Sequence, residues 1–215
     1  MDLKIIYEDE QLLVCYKPAG VATQTKRLGQ QDMESLLKNN RASKGEPSYI
    51  GVVHRLDQPV EGVMVFAKTK EAASDLSRQV QMKEADKFYY AVTDGVPVEK
   101  TGSLEDYLLR DGRTNTSKVV KEGTAGAKKA RLSYEVLAED GTHAILKIRL
   151  DTGRHHQIRV QLANAGYPIV GDRKYNADSS ATPGDHLKLC SYKIGFVHPK
   201  THKKMEFEIE NPYAC

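Results

Sequence analysis

The stretch HRLDQPVEG, His54 to Gly62, sets a histidine, an arginine and an aspartate within four residues, just ahead of the apolar run VMVFA. A carboxylate at the edge of a strand is able to act as a nucleophile or a base, and a nearby cation keeps it ionised against desolvation. Asp57 is such a carboxylate, although the same residue would also suit an Asx turn that only introduces a strand. A second concentration of chemistry is TGRHHQIRVQL, where Arg154, His155, His156 and Arg159 gather around the first turns of a helix. Ile158 and Leu162 form the buried stripe of that helix, and Arg159 is expected to project beside His155 and Ala163. The paired histidines lack the i, i+4 spacing of a helical metal site, so no metal is expected there. The planar fork of an arginine on an anchored helix is suited to hold a carboxylate bidentately.

The elements that must position these residues follow from periodicity. KIIYEDEQLLVCYKPAG reads as two short strands around an acidic turn, ended by Pro18 and Gly20, and GVMVFAKT reads as a buried strand. KFYYAV, RLSYEVLAED and HAILKIRL add further strands, the last two joined by the turn EDGT. Helical patterns are fewer: DMESLLKNN, KEAASDLSRQVQMK behind Thr69 as N-cap, and RHHQIRVQLANAG closed by Gly166. Strands outnumber helices without alternating regularly with them, which favours an α+β fold around a mixed or mostly antiparallel sheet.

Length and composition suit one large globular domain, and with no repeat, linker or composition break a single domain over residues 1–215 is expected. Cys15, Cys190 and Cys215 are far apart and odd in number, which points away from a disulfide framework or a zinc site and toward a reducing compartment. The N-terminus carries neither the basic nor the apolar region of a leader, and no run is long enough to span a bilayer, so a cytoplasmic location without membrane contact is expected. The net charge of +3 is modest but unevenly spread. RTNTSKVVKEGTAGAKKAR, from Arg113 to Arg131, sets six basic residues against Glu122 alone, and HPKTHKK adds a second basic turn. Either is suited to nucleic-acid contact or to a solvated loop.

Taken in order, HRLDQPVEGVMVFAKT, KFYYAV, TGRHHQIRVQL, YPIVGDRKY and FVHP resemble the motifs of the RluA family of RNA pseudouridine synthases, with YKPAGV preceding them. The resemblance implies the pseudouridine synthase fold, in the form of the catalytic domain without the extra N-terminal RNA-binding domain of many members. It implies Asp57 as the catalytic aspartate, Tyr89 as the active-site tyrosine and Arg159 as the basic partner of the aspartate. Arg55 matches the arginine implicated in displacing the target base, and His54, Arg154, His156 and Gln157 share its motifs as substrate-binding candidates. Lys128, Lys129 and Arg131, in GAKKAR, are the candidates for the RNA backbone. The chain departs from the usual pattern at Gln58, Val60 and Glu61, at His155 in place of a threonine, and at Cys190 in place of a histidine.

The implied partner is RNA, rRNA or tRNA, with the target uridine flipped out of its stack, and the implied state is a monomer. The implied reaction breaks the bond from ring nitrogen to sugar, rotates the base and rejoins it through carbon five, which calls for a carboxylate and a proton acceptor but no cofactor. Tyr89 would stack on the base or accept its proton; the route taken by Asp57 stays open. Two other classes fit parts of the pattern. A noncatalytic RNA-binding protein retaining the fold would not need Asp57, Tyr89 and Arg159 together, and a glycoside hydrolase would need a second carboxylate, which only Glu61 offers.

Overall fold

The computed structural model describes residues 3–27, 29–176 and 186–214; Cys215 lies outside them. In chain order the elements are β1 (Ile5–Glu8), β2 (Leu12–Lys17), α1 (Met33–Ser43), β3 (Gly51–Val52), β4 (Glu61–Ala67), α2 (Lys70–Gln81), β5 (Asp86–Asp94) and β6 (Thr101–Asp111). They continue with β7 (Thr116–Val120), β8 (Lys128–Glu139), β9 (His143–Leu150), α3 (Gln157–Asn164), β10 (Leu189–Val197) and β11 (Lys204–Glu208). The fold is α+β, and the chain divides into two compact units, one of residues 1–87 with 191–210 and one of residues 88–190 with 211–215.

The first unit is assembled from both ends of the chain. Its strands run β1-β2-β4-β10, with β3 beside β4 and β11 beside β10. Asp9 makes the acidic turn between β1 and β2, its carboxylate accepting from the amides of Gln11 and Leu12 at 2.7 and 2.9 Å. β4 is the central strand, buried from Gly62 to Ala67 and antiparallel to β2 from Lys17↔Gly62 to Leu12↔Ala67. Thr69 caps α2 by accepting from the Ala72 amide at 3.1 Å, and Ala72 and Leu76 then pack into a core with Leu12, Val14, Val63, Val65, Ile194 and Phe196. Asp32 caps α1 in a reciprocal box with Ser35. Gly62 is required where β4 meets β10: its φ is +126°, and a Cβ there would lie 2.2 Å from the carbonyl oxygen of Ser191.

The second unit is an antiparallel sheet in the order β5-β9-β8-β6-β7. The turn EDGT closes β8 onto β9, Asp140 accepting from the amides of Thr142 and His143 at 2.8 and 2.7 Å. One face is apolar, with Ala91, Leu146, Ile148 and Leu132 fully buried, and Val160 of α3 packs with Leu108 and Ala130 against it. Two sequence expectations change here. The basic segment from Arg113 to Arg131 is not one loop: Thr116–Val120 is β7, and its last four residues open β8. The helix of TGRHHQIRVQL starts only at Gln157, because His156 takes the left-handed conformation at φ +54° and the Gln157 side chain ties down the turn before it. Arg154 and His155 therefore precede the helix, and Arg159 does not share a helical face with His155. Its C-terminal end is as expected, with Gly166 at φ +88°.

Candidate active site

In the first unit the motif His54–Gly62 forms a tight loop into β4. Leu56 and Val60 are buried and anchor it, while Arg55 is exposed and Asp57 half-buried. The carbonyl of Asp57 accepts from the Val60 amide at 3.0 Å, closing a turn. Thr23 grips the backbone from the other side, donating to the Leu56 carbonyl at 2.9 Å and accepting from the Leu56 amide at 3.2 Å. His54 accepts from the Val65 amide through Nε2 at 3.2 Å. Burial, reinforced by the Lys87 ammonium, pushes its pKa down to about 3, so the ring serves as a neutral clamp between loop and strand.

A residue with no assigned role at the sequence level completes this loop. Lys17, at the end of β2, is fully buried, and its ammonium donates to the carbonyls of Val21, Pro18 and Gln58 at 2.6, 3.0 and 3.1 Å. Burial lowers its pKa to about 8, against the pull of Asp57 and Glu61, whose charges favour the protonated form. A buried cation beside two carboxylates is an electrostatic anchor for the loop. The signal was the lysine of YKPAGV, which composition alone does not separate from a surface residue. Of the departures from the family pattern, Gln58 donates to the Gly20 carbonyl at 2.9 Å and so joins the two loops. Glu61 accepts from the Tyr16 hydroxyl at 2.6 Å, an interaction that the hydrolase reading would have to break.

The second unit gathers a different cluster. Arg159 is buried, and its Nε and Nη2 form a fork onto the carboxylate of Asp172, both at 2.7 Å. The face of Tyr175 lies against the guanidinium at 5.2 Å, and the Tyr175 hydroxyl meets His156 Nδ1 at 2.8 Å. Gln157 binds the amide of Arg154 and the hydroxyl of Thr152 through Oε1, and the Arg131 carbonyl through Nε2. Asp172 and Tyr175 lie within YPIVGDRKY, where neither shows a role in sequence; an aspartate between glycine and arginine reads as a turn until the fold brings it to α3. Tyr89 is buried on β5 opposite Ile148 of β9. Lys129 pairs with Glu105 at 2.6 Å and Arg131 with Asp151 at 3.3 Å, leaving Lys128 the exposed residue of the three that no carboxylate pairs among the described residues. Arg154 donates through Nε to the Lys129 carbonyl at 2.9 Å, binding α3's approach to β8. Cys190 and Cys15 are buried, and burial pushes the Cys15 thiol up to about 12.

The family model described as RNA pseudouridylate synthase matches residues 11–164. An RNA pseudouridine synthase of Aquifex aeolicus is 36% identical over 98% of this chain and 70% of its own length. The dual-specificity RNA pseudouridine synthase RluA of Vibrio parahaemolyticus is 33% identical over 92% of the chain and 79% of its own. Among solved structures, human RNA Pseudouridylate Synthase Domain Containing 4 shares the fold with a TM-score of 0.82 at 22% identity, over 98% of this chain and 89% of that one. A match that runs without interruption through the loop of Asp57 and the helix of Arg159 makes this chain a member of the RNA pseudouridylate synthase family, of the RluA kind.

Proposed function

We propose that the protein converts specific uridines of rRNA or tRNA to pseudouridine, with Asp57 as the catalytic carboxylate. Membership of the family makes it an RNA pseudouridine synthase, an isomerase; the residue roles and the RNA are the proposal. The supporting observation is the loop of Asp57, whose backbone is fixed by Thr23, His54 and the buried Lys17 while its carboxylate stays only half-buried. Such a loop presents a charged group without having to reorganise during reaction.

In this reading Asp57 acts on the sugar or the base of a uridine flipped out of its stack, a step that costs a few kcal/mol of unstacking and is offset by contacts to the extruded nucleotide. The glycosidic bond to N1 breaks, the base turns, C5 bonds to the sugar carbon, and the C5 proton is lost as N1 gains one. Atoms and charge balance without a redox agent. By the family resemblance, Arg159, whose fork Asp172 holds, takes the role of basic partner, Tyr89 offers a ring for stacking or a phenol for the proton, and Arg55, exposed, takes the role of displacing the base.

The test is Asp57→Asn, which keeps shape and removes charge. RNA treated with this variant and digested to nucleosides is expected to contain no enzyme-dependent pseudouridine, while the variant's melting curve stays close to that of the parent. Pseudouridine formed at a comparable rate would remove Asp57 from the mechanism. Release of free uracil by the parent protein would replace isomerisation with hydrolysis.

A further inference from the structure

We propose that His155 is a positioning residue that latches the tip of the β6–β7 hairpin onto the cap of α3, and so sets the Arg159 cluster for the chemical step; the inference rests on the isomerase reading above. The imidazole stacks on His156 with ring centres 3.8 Å apart and planes 22° apart. Its two nitrogens reach two different residues of the hairpin. Nδ1 lies 2.9 Å from Ser117 Oγ and Nε2 lies 3.2 Å from Asn115 Oδ1. The Ser117 hydroxyl is also 2.9 Å from the carbonyl oxygen of His155 itself, so this one serine meets both the ring and the backbone. Asn115 is a left-handed turn residue at φ +51°, the point at which the hairpin reverses.

Each of these hairpin residues is held a second time, by the turn that carries Asp172. Lys174 donates from Nζ to the Asn115 carbonyl at 2.7 Å, and the Ser117 amide donates to the Tyr175 hydroxyl at 2.7 Å. Asp172 Oδ1 in turn accepts from the Lys174 amide at 2.9 Å while its carboxylate holds Arg159. Hairpin, helix cap and the Asp172 turn therefore form one closed set of polar contacts, in which Tyr175 of that turn touches Ser117 of the hairpin, His156 of the cap and Arg159 of α3. The ring at position 155 explains why this chain departs from the threonine expected there. A threonine has a single hydroxyl on a short side chain, whereas an imidazole spans two hairpin residues at once. Reacting groups displaced by about 1 Å lose on the order of a hundredfold in rate, so a latch that holds the Arg159 cluster acts on catalysis without touching substrate.

The experiment compares the parent with His155→Ala, Ser117→Ala, the double variant and His155→Gln. Three quantities are read: the single-turnover rate at saturating enzyme on a short stem-loop RNA, the affinity for that RNA, and amide hydrogen exchange over residues 113–118. His155→Ala is expected to slow the chemical step about tenfold, to leave affinity within about twofold, and to speed exchange at the hairpin tip. Ser117→Ala should behave alike, and the double variant should be no slower than the worse single one, because both remove the same latch. His155→Gln, which keeps a polar group of similar reach, should recover part of the rate and of the exchange protection. Unchanged exchange at the tip overturns the latch, as does a defect confined to affinity or a double variant whose loss is the product of the single losses. A parent that makes no pseudouridine would refute the isomerase reading instead, and the exchange data would then still decide whether the latch exists.

Discussion

Replacing Lys17 with methionine should leave the protein about as stable as before and yet disable it. Two opposing quantities set the stability. The drop in its pKa from 10.5 to about 8 corresponds to about 3 kcal/mol held against the charged form at neutral pH, which methionine relieves. Against this, the carbonyls of Pro18, Val21 and Gln58 lose a donor. Gln58 keeps the Gly20 amide, so two carbonyls are orphaned, at about 1–3 kcal/mol each. The net change lies between about 1 kcal/mol of stabilisation and about 3 kcal/mol of destabilisation. Activity follows a different logic: without its cation the Asp57 loop loses both its tie to β2 and its neutralising charge, and single-turnover rate should fall at least about tenfold. The pH dependence supplies a sharper check. The folded value lies below the unfolded one, so between about pH 8 and 10.5 the unfolded chain holds the extra proton and this residue makes stability rise with pH. Urea titrations at pH 7 and pH 9.5 should therefore show parent stability gaining on Lys17→Met across that interval. A constant difference between the two proteins, or a variant with full activity, would exclude this role for Lys17.

Asp172→Ala should be among the most damaging single changes in the second unit, since it removes the bidentate carboxylate from the buried Arg159 guanidinium; about 3–5 kcal/mol by chemical denaturation is expected. Gly62→Ala should yield little folded protein by gel filtration and circular dichroism, because its Cβ would meet the Ser191 backbone in a conformation side chains rarely adopt. Thr69→Ala should cost about 1 kcal/mol and leave pseudouridine formation untouched, as it removes only the cap of α2. Neutralising Lys128, Lys129 and Arg131 together should lower the slope of log affinity against log salt by about one rather than three, because Glu105 and Asp151 already pair with two of them; a change near three would mean that both ion pairs open for RNA.

Local structure is legible in the sequence wherever it is set by short continuous stretches. The loop of Asp57, the strand of Tyr89, the hairpin EDGT and the Thr69 cap all depend on neighbours within a few residues, and each forms as read. The misreadings share a different cause. In β7 and the start of β8 the basic residues sit beside Val119, Val120 and Ala130 without strict alternation, so no strand period shows until these residues pair with β6. The first turn of α3 is lost where His156 goes left-handed, held by Tyr175 while the preceding His155 is held by Ser117, both far along the chain. Asp172 and Lys17 escaped for the same reason: a buried charge looks like any other until its partners, 13 residues away for Arg159 and 41 for Gln58, are in place.

The first unit's assembly from both ends of the chain has a consequence during synthesis. β4 leaves the ribosome with its β2 partner already made, but the strand that covers its other side, β10, follows ~120 residues later, a delay of about 6–25 s at ordinary elongation rates of about 5–20 residues per second. Throughout that interval β4 around Met64, outside the short pairing of β3 with Phe66 and Ala67, keeps an open edge while the whole second unit is being made. The nascent chain is then at its most vulnerable to pairing with a neighbour. Truncation between the two units should accordingly yield not a half-protein but a chaperone substrate, and slow codons in the second unit should lower the yield of protein whose first unit folds correctly.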